Sequence, residues 1–83
     1  MKHYLKCYGQ YYEAVASGIK TFEIRKNDRN FQVGDRIVLC ERKDSEFTGA
    51  KLEKVITYIT DFPAGLKEGY VVLGIKTPKS FLK

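Results

Sequence analysis

Five short segments read as strands, most of them by a period-of-two pattern of side chains, and each is closed by residues that break strands. Successive side chains of a strand point to opposite faces, so such a segment can offer one face to a core and one to water. The segments are His3–Tyr8, Lys20–Lys26, Arg36–Glu41, Lys51–Thr60 and Tyr70–Ile75. Between the first two, Tyr8, Tyr11, Tyr12, Val15 and Ile19 are spaced by threes and fours, which predicts a helix from Gln10. Ser17-Gly18 closes that helix, with Gly18 placed for the left-handed C′ position. A chain of 83 residues is one domain, spanning 1–83. Five strands and one early helix of about two turns predict a small β-barrel with a helical plug or flank, because closure removes the exposed strand edges.

The alternation also predicts which residues are inside. His3, Leu5 and Cys7 share one face of the first strand; Tyr4, Lys6 and Tyr8 share the other. In the second strand Phe22 and Ile24 are expected to be buried, with Thr21, Glu23 and Arg25 opposite. Ile37 and Leu39 back onto Val38 and Cys40, a pattern suited to a strand well inside a sheet. Tyr11, Tyr12, Phe22 and Phe31 fit core positions, and Val33 is expected to anchor with Phe31. Asn27–Asn30 and Val33-Gly34-Asp35 are turn chemistry, and Arg42–Gly49 reads as a hairpin loop. Gly74 is expected to mark a bulge or a close backbone approach. Beyond Thr77-Pro78 a short basic tail carries Phe81 and Leu82 as candidates to dock.

Fifteen Lys and Arg against ten Asp and Glu leave a net charge of +5, which is compatible with a polyanionic partner. No apolar run approaches the roughly 18 residues that span a bilayer, and the start carries no apolar signal segment. The expectation is a soluble cytoplasmic protein with no membrane partner. Cys7 and Cys40 both fall in strands and His3 is the sole histidine, so no zinc ligand set is present and the cysteines are expected as reduced, buried thiols. No cofactor or metal motif appears, and neither does a phosphate-cradling glycine loop or a Ser/His/Asp arrangement.

One constellation carries chemistry. Thr21, Glu23 and Arg25 line one face of the second strand, with Lys20, Lys26, Asp28 and Arg29 at its ends. A carboxylate between cations stays ionised. Glu23 could accept from a base amino group, while Arg25 and Lys20 could donate to phosphate or carbonyl oxygens. His3, beside Lys6 on the first strand, is placed to cap the core or line the cleft mouth. Tyr4, Tyr58 and Tyr70 are candidate stacking platforms for bases. These features favour a binding module over an enzyme.

Gly18-x-Lys20-x-x-Glu23-x-Arg25 resembles the G-x-K-x-x-E-x-R signature of the ASCH domains (activating signal cointegrator homology). A longer set is similar to a subgroup of small bacterial and phage proteins, described as RNA-binding β-barrel proteins with an amino-terminal conserved motif. That set is His3-x-Leu5-Lys6, Glu13-Ala14-Val15, Gly18 through Arg29 with Phe31, Val33-Gly34-Asp35, and Gly69–Ile75. The resemblance implies a mainly β (α+β) fold, a PUA-like pseudobarrel of five to six strands with one short N-terminal helix. It also implies a ligand cleft for RNA or a nucleotide-like molecule, with His3, Lys6, Lys20, Thr21, Glu23, Arg25, Lys26, Asp28, Arg29 and Tyr70 as the expected contacts. Some small ASCH proteins are amidohydrolases acting on N4-acetylcytidine through Lys, Thr and Glu. Lys20 matches their lysine, but Glu23 stands three positions on where they have threonine, and Thr21 shares its strand face. If this chain were such a hydrolase, Lys20, Thr21 and Glu23 would be its catalytic set.

Overall fold

A computed structural model describes residues 1–78. Its elements run β1 (Lys2–Tyr8), α1 (Gly9–Ala16), β2 (Phe22–Lys26), β3 (Arg36–Lys43), β4 (Glu46–Thr60) and β5 (Tyr70–Lys76). The strands form one sheet in the order β1-β3-β4-β5-β2, parallel between β1 and β3 and antiparallel elsewhere. The two outer strands, β1 and β2, meet through side chains: Arg25 Nη2 on β2 donates to the Lys6 carbonyl of β1 at 2.8 Å. The sheet is therefore a curled, five-stranded pseudobarrel whose seam lies between β1 and β2. The fold is mainly β with one short N-terminal helix, as the alternation predicts.

The core draws on every strand except β2. Leu5, Cys7, Ile37, Leu39, Ile56, Val71, Leu73 and Ile75 point inward, with Phe31 and Val15 closing the ends and Tyr12, Leu52 and Ile59 packed against them. β1 keeps its expected faces, with His3, Leu5 and Cys7 buried and Tyr4, Lys6 and Tyr8 exposed. The helix packs on β3 and β1 through Val15, which is fully buried. After the Ser17 C-cap, Gly18 takes φ +85°, and the Lys20 N–H donates to the Ala14 carbonyl at 2.9 Å. The left-handed turn thus delivers Lys20 to the start of β2.

Several boundaries differ from the sequence pattern. Gly9 opens the helix instead of merely breaking the strand before it. The β3–β4 hairpin turns on Asp44 and Ser45 alone, at φ 51° and 66°, so the polar run Glu46–Gly49 belongs to β4 and not to a loop. Asp and Ser tolerate that backbone, and a two-residue turn with positive φ suits the strand twist. Val33 is exposed instead of anchoring, because Phe31 alone fills the site and Gly34 turns the chain away. Opposite Gly74 the β4 register slips between Ile56 and Tyr58, and a Cβ on Gly74 would lie 3.3 Å from the Tyr58 Cβ. Both expected roles of Gly74, bulge and close approach, are present. The expected docking of Phe81 and Leu82 lies outside the described residues.

Candidate functional site

Strand β2 inverts the usual alternation. Phe22 and Ile24 are 41% and 51% exposed, while Glu23 between them is 3% exposed. The expectation that Phe22 and Ile24 are buried is therefore overturned, and so is the core assignment of Tyr11, which is 49% exposed. A carboxylate in the interior is costly unless its charge is met. Two cations meet this one. Lys20 Nζ bonds Oε2 of Glu23, and Arg25 reaches Oε1 with Nη2 at 2.8 Å and Nε at 3.3 Å. The inward polar face is stable because Lys20, Glu23 and Arg25 neutralise one another, and that holds Phe22 and Ile24 on the outside.

The two cations are themselves anchored. Lys20 Nζ also donates to the Phe22 carbonyl at 2.6 Å and sits over the Phe22 ring at 4.8 Å and the Tyr11 ring at 5.9 Å. Arg25 spends the second Nη2 hydrogen on the Lys6 carbonyl. The seam also exposes backbone. The Ile75 N–H donates to Thr21 and the Asn27 N–H to Gly69, so in the antiparallel ladder Glu23 and Arg25 bond β5. Phe22, Ile24 and Lys26 turn their backbone groups away from β5, toward the seam.

A cleft of about 380 Å³ opens there, lined by Lys6, Cys7, Tyr8, Tyr11, Lys20, Phe22, Glu23, Ile24 and Arg25. Its floor is cationic and hydrogen-bonding, and its rim is the exposed set Tyr8, Tyr11, Phe22 and Ile24. A cluster of exposed aromatic and aliphatic side chains around fixed polar groups is the usual anatomy of a small-ligand site. Cys7 contributes a thiol to the wall, pushed above its ordinary pKa first by burial and then by the Glu23 charge. It is a protonated thiol at neutral pH. Cys7 and Cys40 are both unbridged.

Of the residues expected at the site, the structure gathers Lys6, Lys20, Glu23 and Arg25. His3 is elsewhere. It lies on the same inner face of β1 as Cys7 but four residues earlier, roughly 13 Å along the strand. There its Nε2 donates to Asp35 Oδ2 at 2.8 Å and its ring meets Phe31 edge-on. Asp35 also accepts from the Gln32 N–H at 3.1 Å and the Met1 ammonium at 3.2 Å. The His3 bond and then the Gln32 N–H outweigh partial burial and hold the Asp35 carboxyl at a pKa of about 2. Thr21 is exposed and outside the lining, its carbonyl bonded in the ladder. Lys26 lies opposite Tyr70 at the far end of the β2–β5 ladder, and Asp28 and Arg29 pair with each other at 4.0 Å in the following loop. Tyr4 and Tyr58 are exposed and Tyr70 half-buried, all away from the cleft. The residues the pattern missed are Cys7, Tyr8, Tyr11, Phe22 and Ile24. Tyr8 and Tyr11, three apart on either side of Gly9, were the available signal.

Among the described residues, no group of three His, Cys, Asp or Glu side chains could hold a metal ion, and no helix is long and apolar enough to cross a membrane.

A family model described as a domain of unknown function (DUF3850) matches residues 2–75. A protein of Escherichia phage P2, described as an uncharacterized 12.9 kDa protein in the GpA 3′ region, is 42% identical over 71 residues. Those residues are 86% of this chain and 64% of the phage protein, so the chain spans under two thirds of that relative's length.

Proposed function

The chain belongs to the DUF3850 family, and we propose that it is a cytoplasmic RNA- or nucleotide-binding module whose ligand enters the seam between β1 and β2. The observation that carries this reading is the cleft itself, where Lys20 and Arg25, fixed on one buried carboxylate, lie beneath exposed Tyr8, Tyr11 and Phe22. Fixed donors beneath π-faces suit a planar, oxygen-rich ligand, and the chain's +5 charge favours an anionic one. The resemblance of Gly18–Arg29 to the ASCH signature supports the same reading and a kinship with PUA-like barrels. The amidohydrolase alternative draws no support from the lining. It contains no Ser or Thr hydroxyl, and Glu23, in the nucleophile's place, has both oxygens engaged.

Titration of the folded protein with labelled single-stranded and structured RNA at low and moderate salt tests the proposal. Binding that weakens with salt and falls at least about tenfold in Lys20→Gln and Arg25→Ala is expected. An absence of binding at low salt, or binding that both variants retain, overturns it.

A further inference from the structure

The hydrogen bonds inside the cleft say which atoms a ligand must present. Glu23 is the sole carboxylate of the lining, and both its oxygens are taken, Oε2 by Lys20 and Oε1 by Arg25. It has little capacity left to accept from a ligand amino group. The donors are not exhausted. Arg25 carries five N–H groups, and its Nε and both Nη2 hydrogens are engaged with Glu23 and Lys6, which leaves the Nη1 pair. Lys20 has three donors and directs two of them to Phe22 and Glu23, which leaves one. Both cations are pinned to the two oxygens of one carboxylate, which holds them side by side. The cleft therefore offers donors from its charged side chains.

Resting on the nucleotide reading above, we propose that this site selects a 6-oxopurine over a 6-aminopurine. Guanine and hypoxanthine carry two adjacent acceptors, O6 and N7, the edge that Arg and Lys side chains read. Adenine keeps N7 but replaces O6 with an amino group, which would set a donor against one of the two cations and leave that cation's donor unmet. The two purines stack alike on Tyr8, Tyr11 or Phe22, so the rim does not distinguish them and the floor does. Glu23 is a positioning residue in this scheme, because it acts through the cations it holds.

Competition calorimetry of the 83-residue chain with GMP, IMP, AMP, 7-deaza-GMP and ribose 5-phosphate decides the matter without any variant. GMP and IMP are expected to bind within about twofold of each other and at least about tenfold more tightly than AMP, with 7-deaza-GMP weakened relative to GMP. AMP binding as tightly as GMP, or ribose 5-phosphate matching GMP, overturns the base selectivity while leaving a nucleotide or phosphate site in place. Failure of every nucleotide to bind overturns the selectivity, and the RNA titration above then decides the reading on which it rests. In Glu23→Gln, whose amide cannot hold both cations, the GMP-to-AMP preference is expected to shrink more than the affinity for ribose 5-phosphate. Equal losses across all ligands would assign Glu23 to the fold alone.

Discussion

Arg25 and Lys6 lie on the two outer strands of the sheet, and the guanidinium of the first donates to the carbonyl of the second at 2.8 Å. The same Nη2 bonds Glu23 at 2.8 Å. One side chain thus closes the seam and neutralises an interior carboxylate, which joins the stability of the pseudobarrel to the architecture of its cleft. Removing it leaves Glu23 with one cation instead of two and frees an outer-strand carbonyl. Arg25→Ala is expected to lower unfolding stability by about 2 kcal/mol, the range for a hydrogen-bonded, partly buried charge. Lys26→Ala, next along the same strand but exposed and outside the cleft, is expected to change it by under about 0.5 kcal/mol. Urea denaturation of the two variants side by side checks the contrast.

The opposite end of β1 contributes to acid stability. Asp35 has a folded pKa of about 2 against an ordinary 3.8, chiefly through its bond from His3. A depressed carboxyl pKa stabilises the fold above the unfolded value and loses that contribution as pH falls through the folded one. Thermal stability is therefore expected to decline between roughly pH 4 and pH 2. Asp35→Asn removes the carboxyl and should flatten that decline while lowering stability at neutral pH. A melting series from pH 2 to pH 7 on both proteins provides the measurement.

Gly18 tests the delivery of Lys20. Its φ of +85° falls where side chains are strained, although nothing lies within 4 Å of an added Cβ. Gly18→Ala is therefore expected to cost about 1 kcal/mol through backbone conformation alone. Because the Lys20 N–H bond to Ala14 depends on this turn, ligand affinity should fall along with stability. An equal loss from Gly34→Ala, a turn of similar φ (+96°) away from the cleft, would leave affinity untouched.

Cys7 reports on the cleft chemically. The residue is 3% exposed, its thiol is held above the ordinary pKa by burial, and only the thiolate reacts. Alkylation at neutral pH is expected to modify Cys40, which is half-buried, well before Cys7. Mass spectrometry of the partly modified protein distinguishes the two sites. Faster labelling of Cys7 would mean that the seam opens far more often than this packing implies.

The architecture was legible where side-chain period and environment agree. β1 shows it best: His3, Leu5 and Cys7 alternate with residues that face water, and the structure keeps every one of those assignments. The helix stop at Ser17-Gly18 was legible because left-handed backbone selects glycine. The charged set Lys20, Glu23 and Arg25 was legible as a group, since a period of two puts positions 23 and 25 on one face. Which face turns inward was not. Periodicity divides a strand into two sides without saying which one the rest of the chain encloses, and that depends on partners nineteen residues away, as Lys6 is from Arg25. Of the two roles open to His3, capping the core against Phe31 is the one it takes, and lining the cleft is not. A shared inner face says nothing about distance along the strand, and Asp35 claims His3 at the other end.

The inversion of β2 makes the sharpest prediction, because it reverses what hydrophobicity alone would say. By composition, Ile24→Ser should damage the fold and Glu23→Ala should be harmless. In the structure Ile24 is 51% exposed beside the cleft, while Glu23 is 3% exposed and carries the charges of two neighbours. Glu23→Ala strands Lys20 and Arg25 at the interior and is expected to cost about 3 kcal/mol, within the range for breaking a buried pair by removing one partner. Ile24→Ser removes a half-exposed side chain from an outer strand and is expected to cost under about 1 kcal/mol, near the effect of surface substitutions. Denaturant melts of the two variants, read for midpoint and slope together, measure both. A larger loss from Ile24→Ser would return the apolar face of β2 to the interior and move the cleft off this strand.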